Sequence, residues 1–261
     1  MSSLLLQIAI PFFLSALVVI LITMIAERYG TKVGGILGTL PSTIIIAFIF
    51  IAINESEQFA SQAASVVPAE LGINIIFLFV FSLLIHRSTL LAFIASFSIW
   101  SILSFPLVYF NMDYIALSIL LYLFSLIICF FILEKRKAIP SIGTMYIHYT
   151  TRKILLRGVL AGIFIAIAVL LSNVGSIISG VFSVFPAIIS STMLISVREH
   201  GPDFAAGMAK SMILGLSSVA AYAVSIHFFY PMLGVFVGTI LAYLIAFCVT
   251  MFIFVLRKKI L

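Results

Sequence analysis

Two stretches hold most of the residues that could do chemistry in an otherwise apolar chain. GGILGTLPST, Gly34 to Thr43, brings together Gly35, Thr39, Pro41, Ser42 and Thr43. SGVFSVFPAI, Ser179 to Ile188, brings together Gly180, Ser183 and Pro186, with Ser190, Ser191 and Thr192 just beyond. A proline inside a helix removes a donor and frees the carbonyl one turn earlier. Within hydrocarbon that carbonyl must find protein, water or a ligand. Freed carbonyls beside hydroxyls suit a small polar solute or a cation. The competing reading is a proline kink used for packing, with Gly and Ser allowing close helix approach.

Ionisable residues inside apolar runs are the other candidates. Glu70 reads as lying near the outer end of its span, and Lys210 as lying a turn inside another. Both are expected to reach an interface along their flexible stems. The functional alternative makes Glu70 a proton or cation carrier. His86, His148, His200 and His227 have no paired metal-ligand spacing, so no metal is expected. Phosphate loops, a GxSxG elbow and a Cys–His pair are missing from the sequence. Ser217-Ser218 with His227 gives no real support to a serine–histidine dyad. The chain does not read as an enzyme, and no cofactor is implied. Cys129 and Cys248 both read as packing residues.

The elements that carry these residues must cross a membrane. The chain has 261 residues, 64% of them hydrophobic and only 8% charged. A soluble domain carries roughly 25% charged residues, so water is excluded as the surrounding solvent. The expected fold is all-α, a polytopic membrane bundle. A span needs about 20 apolar residues. Nine segments qualify: about 7–26, 33–53, 66–86, 89–110, 114–133, 154–172, 175–197, 206–227 and 231–256. The first reads as a retained span and not as a cleaved leader.

Charge then sets the orientation. With the loop EKRKAIPSIGTMYIHYTTRK placed in the cytoplasm, all 14 Lys and Arg fall inside. Glu55, Glu57, Glu70 and Asp113 fall outside. Positive-inside asymmetry implies a multi-pass protein of the cell or inner membrane, N-terminus out and C-terminus in. The basic balance thus serves topology, and MYIHYTTRK suits an anionic lipid surface better than nucleic acid. The partners expected are the lipid bilayer and a small solute or ion. A homo-oligomer is compatible with such a surface.

The chain also aligns with itself at an offset of 145 residues. Gly30 meets Gly175, Gly35 meets Gly180, Pro41 meets Pro186 and Ile44 meets Ile189 without a gap. Further on, Phe59 meets Phe204, Ala64 meets Ala209 and Leu71 meets Leu216. Residues 1–110 thus read as one four-span repeat and 154–261 as a second, with a linker span and basic loop at 111–153. The odd span between them inverts the second copy. Inverted repeats with Gly/Pro-broken helices are a secondary-transporter architecture.

The four-span unit resembles small bacterial inner-membrane proteins of the GlpM type. The resemblance rests on an apolar first helix, a second helix with the G–L/F–x–x–L/F–P pattern, and a small-residue third helix. Leu155–Phe252 is the closer match and Leu4–Tyr109 the weaker. The fusion of inverted copies is similar in style to drug/metabolite transporters, which pair five helices with five. Neither resemblance carries over a ligand or catalytic residue. The reading is a secondary transporter-like protein acting by alternating access. The alternative is a non-transporting membrane partner or assembly factor in envelope or lipid metabolism.

The topology is open to direct test. In intact cells a membrane-impermeant thiol reagent should label Ser56→Cys and leave Ser141→Cys unlabelled. The reverse pattern would contradict both the orientation and the inversion of the repeats.

Overall fold

The helix Glu57–Leu84 has 28 residues, of which 19 are buried. A helix enclosed on all sides has no lipid or solvent face, so it must be the centre of its bundle. The computed structural model of the chain describes residues 7–24, 41–136 and 150–260. In chain order its helices are α1 (Gln7–Met24), α2 (Ser42–Asn54), α3 (Glu57–Leu84) and α4 (Thr89–Tyr109). Next come α5 (Ile115–Phe131), which runs on through a π-helical turn at Ile132–Arg136, α6 (Thr151–Leu171) and α7 (Ser176–Ser183). The last run, Ala187–Ile260, is 74 residues long but not one helix. Gly201 (φ 83, ψ 179) and Gly234 (φ 77, ψ 172) break it. Positive φ is a region that glycine enters without a Cβ clash. The pieces are α8 (187–200), α9 (202–233) and α10 (235–260). Pro202 opens α9, where its missing N–H costs no helical bond. Among the described residues there is no strand.

Among the described residues six apolar segments are long enough to cross a membrane, counting the run from Ser176 to Val255 as one. The 13 residues of α2 span only about 20 Å, short of a ~30 Å hydrocarbon core. The outer surface is apolar: Phe105, Phe124, Ile127, Phe236 and Ile240 are all exposed on α4, α5 and α10. The molecule is an apolar helical bundle of the kind that suits a multi-pass membrane protein.

Side chains as small as hydrogen set the closest packing. A Cβ on Gly180 of α7 would lie 2.1 Å from the Ala63 carbonyl oxygen of α3. On α6, a Cβ at Gly158 would meet the Ala16 carbonyl at 2.9 Å, and one at Gly162 the Phe12 carbonyl at 2.7 Å. These are small-residue seams of the sort that let helix backbones approach in membranes. On α3, Gly72 faces the backbone of Leu121 and Tyr122 in α5. The Tyr122 hydroxyl then reaches Ser217 of α9 at 2.7 Å.

Polar contacts gather at the two ends of the bundle. At one end His86 meets Asp203 (2.9 Å), Lys210 meets Glu134 (2.9 Å) and Lys153 pairs with Glu199. At the other end Ser172 donates to Glu55 (2.9 Å) and Ser61 to the His227 carbonyl (2.6 Å).

Three sequence expectations need correction. The sequence places the third span over 66–86, but α3 runs from Glu57, and Ser56 just before it accepts the N–H of Phe59 on its hydroxyl at 3.1 Å. Its first turns, EQFASQAAS, are more polar than a lipid-facing segment; Gln58 and Gln62 are exposed there, whereas Ala60, Ser61 and Ala63 to Ser65 are buried against protein. Glu70 therefore stands midway along the helix and is 0% exposed, not at an interface. Lys210 likewise does not reach outward: it is 3% exposed and paired with Glu134. Of the two cysteines only Cys129 is buried, whereas Cys248 lies on the exposed apolar surface.

The Gly180 seam yields a prediction. Gly180→Ala overpacks it and should lower stability by about 1–3 kcal/mol, read as thermal unfolding in detergent. Gly175→Ala, whose Cβ would meet nothing nearer than 4.0 Å, should leave unfolding unchanged. Equal melting of both variants would contradict the seam.

Candidate functional site

The helix started by α7 stops at Ser183 and resumes at Ala187, with Pro186 immediately before the restart. The residue before a proline is pushed out of the helical region, and the proline brings no donor. Each backbone group at the gap then needs another partner. Val184 N–H reaches the Val181 carbonyl at 3.4 Å, and Phe185 N–H the Phe182 carbonyl at 3.2 Å. Ala187 N–H takes the Phe185 carbonyl at 2.7 Å. The Val184 carbonyl is met from outside: Asn74 Nδ2 of α3 donates to it at 2.8 Å.

Asn74 lies one turn from Glu70 on α3, so the two share a face. Both are 0% exposed. Ser104 of α4 donates to Glu70 Oε1 at 3.0 Å. The indole of Trp100, one turn back on α4, lies beside the same carboxyl. Three of the buried polar atoms that close no hydrogen bond lie on these residues: Glu70 Oε2, Asn74 Oδ1 and Trp100 Nε1. Two are acceptors and one is a donor. In an interior where polar atoms are nearly always paired, such a group marks a site that does something else.

Aromatic rings wall the site. Phe185, inside the gap, stacks on Phe164 of α6 (centroids 3.8 Å, 6° between planes). It also meets the edge of Trp100 at 4.9 Å. Phe77 on Phe97 and Phe81 on Phe93, both at 5.0 Å, continue the α3–α4 contact beyond. Pro68, two residues before Glu70, removes the N–H that would close on Ala64, loosening α3 at the same place.

The residues singled out from sequence fall in three groups. Gly35 and Thr39 lie outside the described residues. Pro41 is buried and immediately precedes α2, as Pro186 precedes α8; Ser42 and Thr43 are half-buried in the first turn of α2. In the second stretch Ser179 donates to the Ala168 carbonyl of α6 (2.7 Å), and the hydroxyls that follow bond within their own helices. Ser183 donates to the Gly180 carbonyl (2.6 Å), Ser190 to Pro186 (2.6 Å) and Ser191 to Ile188 (2.9 Å). Thr192 donates to Ile188 (2.7 Å) and accepts from Arg157 Nη1 (2.8 Å). Gly180 serves the seam with α3. His227 pairs with Ser61, while Ser217 is taken by Tyr122. The structure joins Pro186 to Glu70 through Asn74. Sequence reasoning missed Asn74 and Trp100. The available signal was a Glu and an Asn four residues apart in AELGINII.

Asn74→Leu strands the Val184 carbonyl in an apolar interior. It should lower thermal stability by about 1–3 kcal/mol. Ser190→Ala should cost less, because the Pro186 carbonyl keeps the Ser190 N–H at 2.8 Å. The opposite ranking would contradict the role given to Asn74.

Residues 8–114 match the model of a family described as a protein of unknown function, DUF3147. The match runs from within α1 to the residue before α5, in the half where the resemblance read from sequence was the weaker one. No curated protein and no solved structure matches the chain.

Proposed function

We propose that the protein is secondary transporter-like and moves a small solute or ion by alternating access. In this reading it has nine crossings, as two inverted four-helix copies about α5. Residues around Pro41 and Pro186 line the path. The element starts support the repeat. α2 begins at Ser42 and α8 at 187; α3 begins at Glu57 and α9 at 202, each pair at the offset of 145.

Helix contacts support an inversion axis. Ser61 lies against His227 and His86 against Asp203, so α3 and α9 run antiparallel. With equal rise per residue, about residue 72 of α3 is level with about residue 217 of α9, again the offset of the repeat. Between α1 and α6, the contacts of Ala16 with Gly158 and Phe12 with Gly162 centre on positions within one residue of the same offset. Tyr122, near the middle of α5, touches both Gly72 and its counterpart Ser217. An unpaired span that crosses the axis at its own midpoint would do this. The end-grouped polar contacts also agree with alternation: residues assigned to the cytoplasm meet one another, and so do those assigned outside.

The observation that carries the proposal is the level of the unpaired acceptors. Glu70 and Asn74 straddle residue 72, beside a broken helix at the repeat interface. Transporter sites of inverted-repeat design lie there. With Cys129 and Cys248 replaced by Ser, Ser183→Cys should react with an impermeant thiol reagent from either side of oriented vesicles. Adding Pro186→Ala, which restores a donor and a continuous helix, should abolish labelling from at least one side. No reaction from either side would contradict alternating access.

A further inference from the structure

Three unpaired buried atoms need to be accounted for together: Glu70 Oε2, Asn74 Oδ1 and Trp100 Nε1. Asn74 has spent an N–H on the Val184 carbonyl, and its oxygen is left as an acceptor without a partner. A carboxylate is also an acceptor only. Two acceptors one turn apart on a single helix face cannot bond to each other. They lack one hydrogen, and a proton on Oε2 supplies it. Without that proton the carboxylate can instead take the indole N–H of Trp100, and Asn74 Oδ1 is left alone.

We infer that Glu70 is a proton-binding site whose occupancy is passed through Asn74 to the helix break at Val184–Pro186. The inference builds on the transport reading and names its coupling ion as a proton. The proton comes from water. An O–H bond forms at Oε2, the carboxyl becomes neutral, and its hydrogen is donated to Asn74 Oδ1. That bond holds the amide in the orientation that keeps Nδ2 on the Val184 carbonyl. Release returns the proton to water, turns the carboxylate to Trp100 and frees the amide.

The surroundings leave the site to these groups. Packed against α3, α2 and α7 carry no titratable side chain, and α4 contributes Trp100 and Ser104. α5 contributes Tyr122, whose hydroxyl is held by Ser217, and the buried free thiol of Cys129. On α8 and α9, Glu199 and Lys210 are paired toward the end of the bundle, and Tyr222 is the buried hydroxyl nearer its middle. Among the described residues Ser104 and Trp100 are the side chains that act on the carboxyl. A lone carboxyl in an apolar interior is costly to keep charged and is the usual mark of a proton or ion pathway.

Trp100 is the chain's single tryptophan, so its emission reports on the site without labelling. The full-length protein in lipid nanodiscs is titrated with acid and base while its fluorescence is read. The parent should show one transition. Glu70→Gln, nearly isosteric, should abolish it, and Glu70→Asp, which keeps the carboxyl, should retain one. Asn74→Leu removes the acceptor of the proton-bearing form, so its transition should move to lower pH by roughly one pH unit. Hydrogen exchange of amides 182–188 should change across the transition in the parent and stay constant in Asn74→Leu. A transition that survives Glu70→Gln overturns the proton site. A transition confined to Glu70 with pH-independent exchange at 182–188 overturns the link to the break. Loss of two-sided labelling at position 183 with an intact transition would overturn the transport reading alone.

Discussion

A carbonyl freed inside an apolar bundle has no water to bond, and the Val184 carbonyl is satisfied by one side chain, Asn74. The local structure follows from that bond. It allows Pro186 to sit deep in the bundle, because the gap it opens is closed by a donor from a neighbouring helix. It also ties the gap to α3, which is buried along most of its length and touches most of the other helices. In this structure the break is held at Gly180 by a seam and at Asn74 by a bond.

The same amide explains why the site is polar on one side only. At an offset of 145 residues, Asn74 meets Val219, Glu70 meets Gly215 and Trp100 meets Ile245. Under the proposed transport reading, the two copies would share helix starts and a proline but not this chemistry, and one copy alone would supply the group that takes up the ion. Aromatic packing of Phe164, Phe185 and Trp100 around the gap ties any movement of the break to the ring beside Glu70.

Much of the architecture was legible in the sequence because its signals are backbone chemistry. Pro186 marks the restart of a helix for steric reasons that hold in any surroundings. The depth of Glu70 was not legible. Hydropathy finds segments that suit lipid, whereas the first half of α3 is rich in small and polar residues, most of which from Ala60 on are buried against protein. Asn74 escaped because a neutral amide in an apolar run does not register in a search for ionisable groups. The back-bonding of Ser183, Ser190 and Ser191 was equally hidden, since a hydroxyl facing a ligand and one facing its own helix read alike. Gly35 and Thr39 lie outside the described residues, so the first stretch is represented by Pro41, Ser42 and Thr43.

The central claim is that Asn74 holds the helix break. Solid-state NMR of the protein in lipid, with nitrogen-15 in Asn side chains and carbon-13 in Val carbonyls, reads that contact directly. The account predicts a through-space cross-peak between Asn74 Nδ2 and the Val184 carbonyl, lost in Asn74→Leu and weakened at alkaline pH in the parent. A spectrum without that cross-peak at any pH would contradict it.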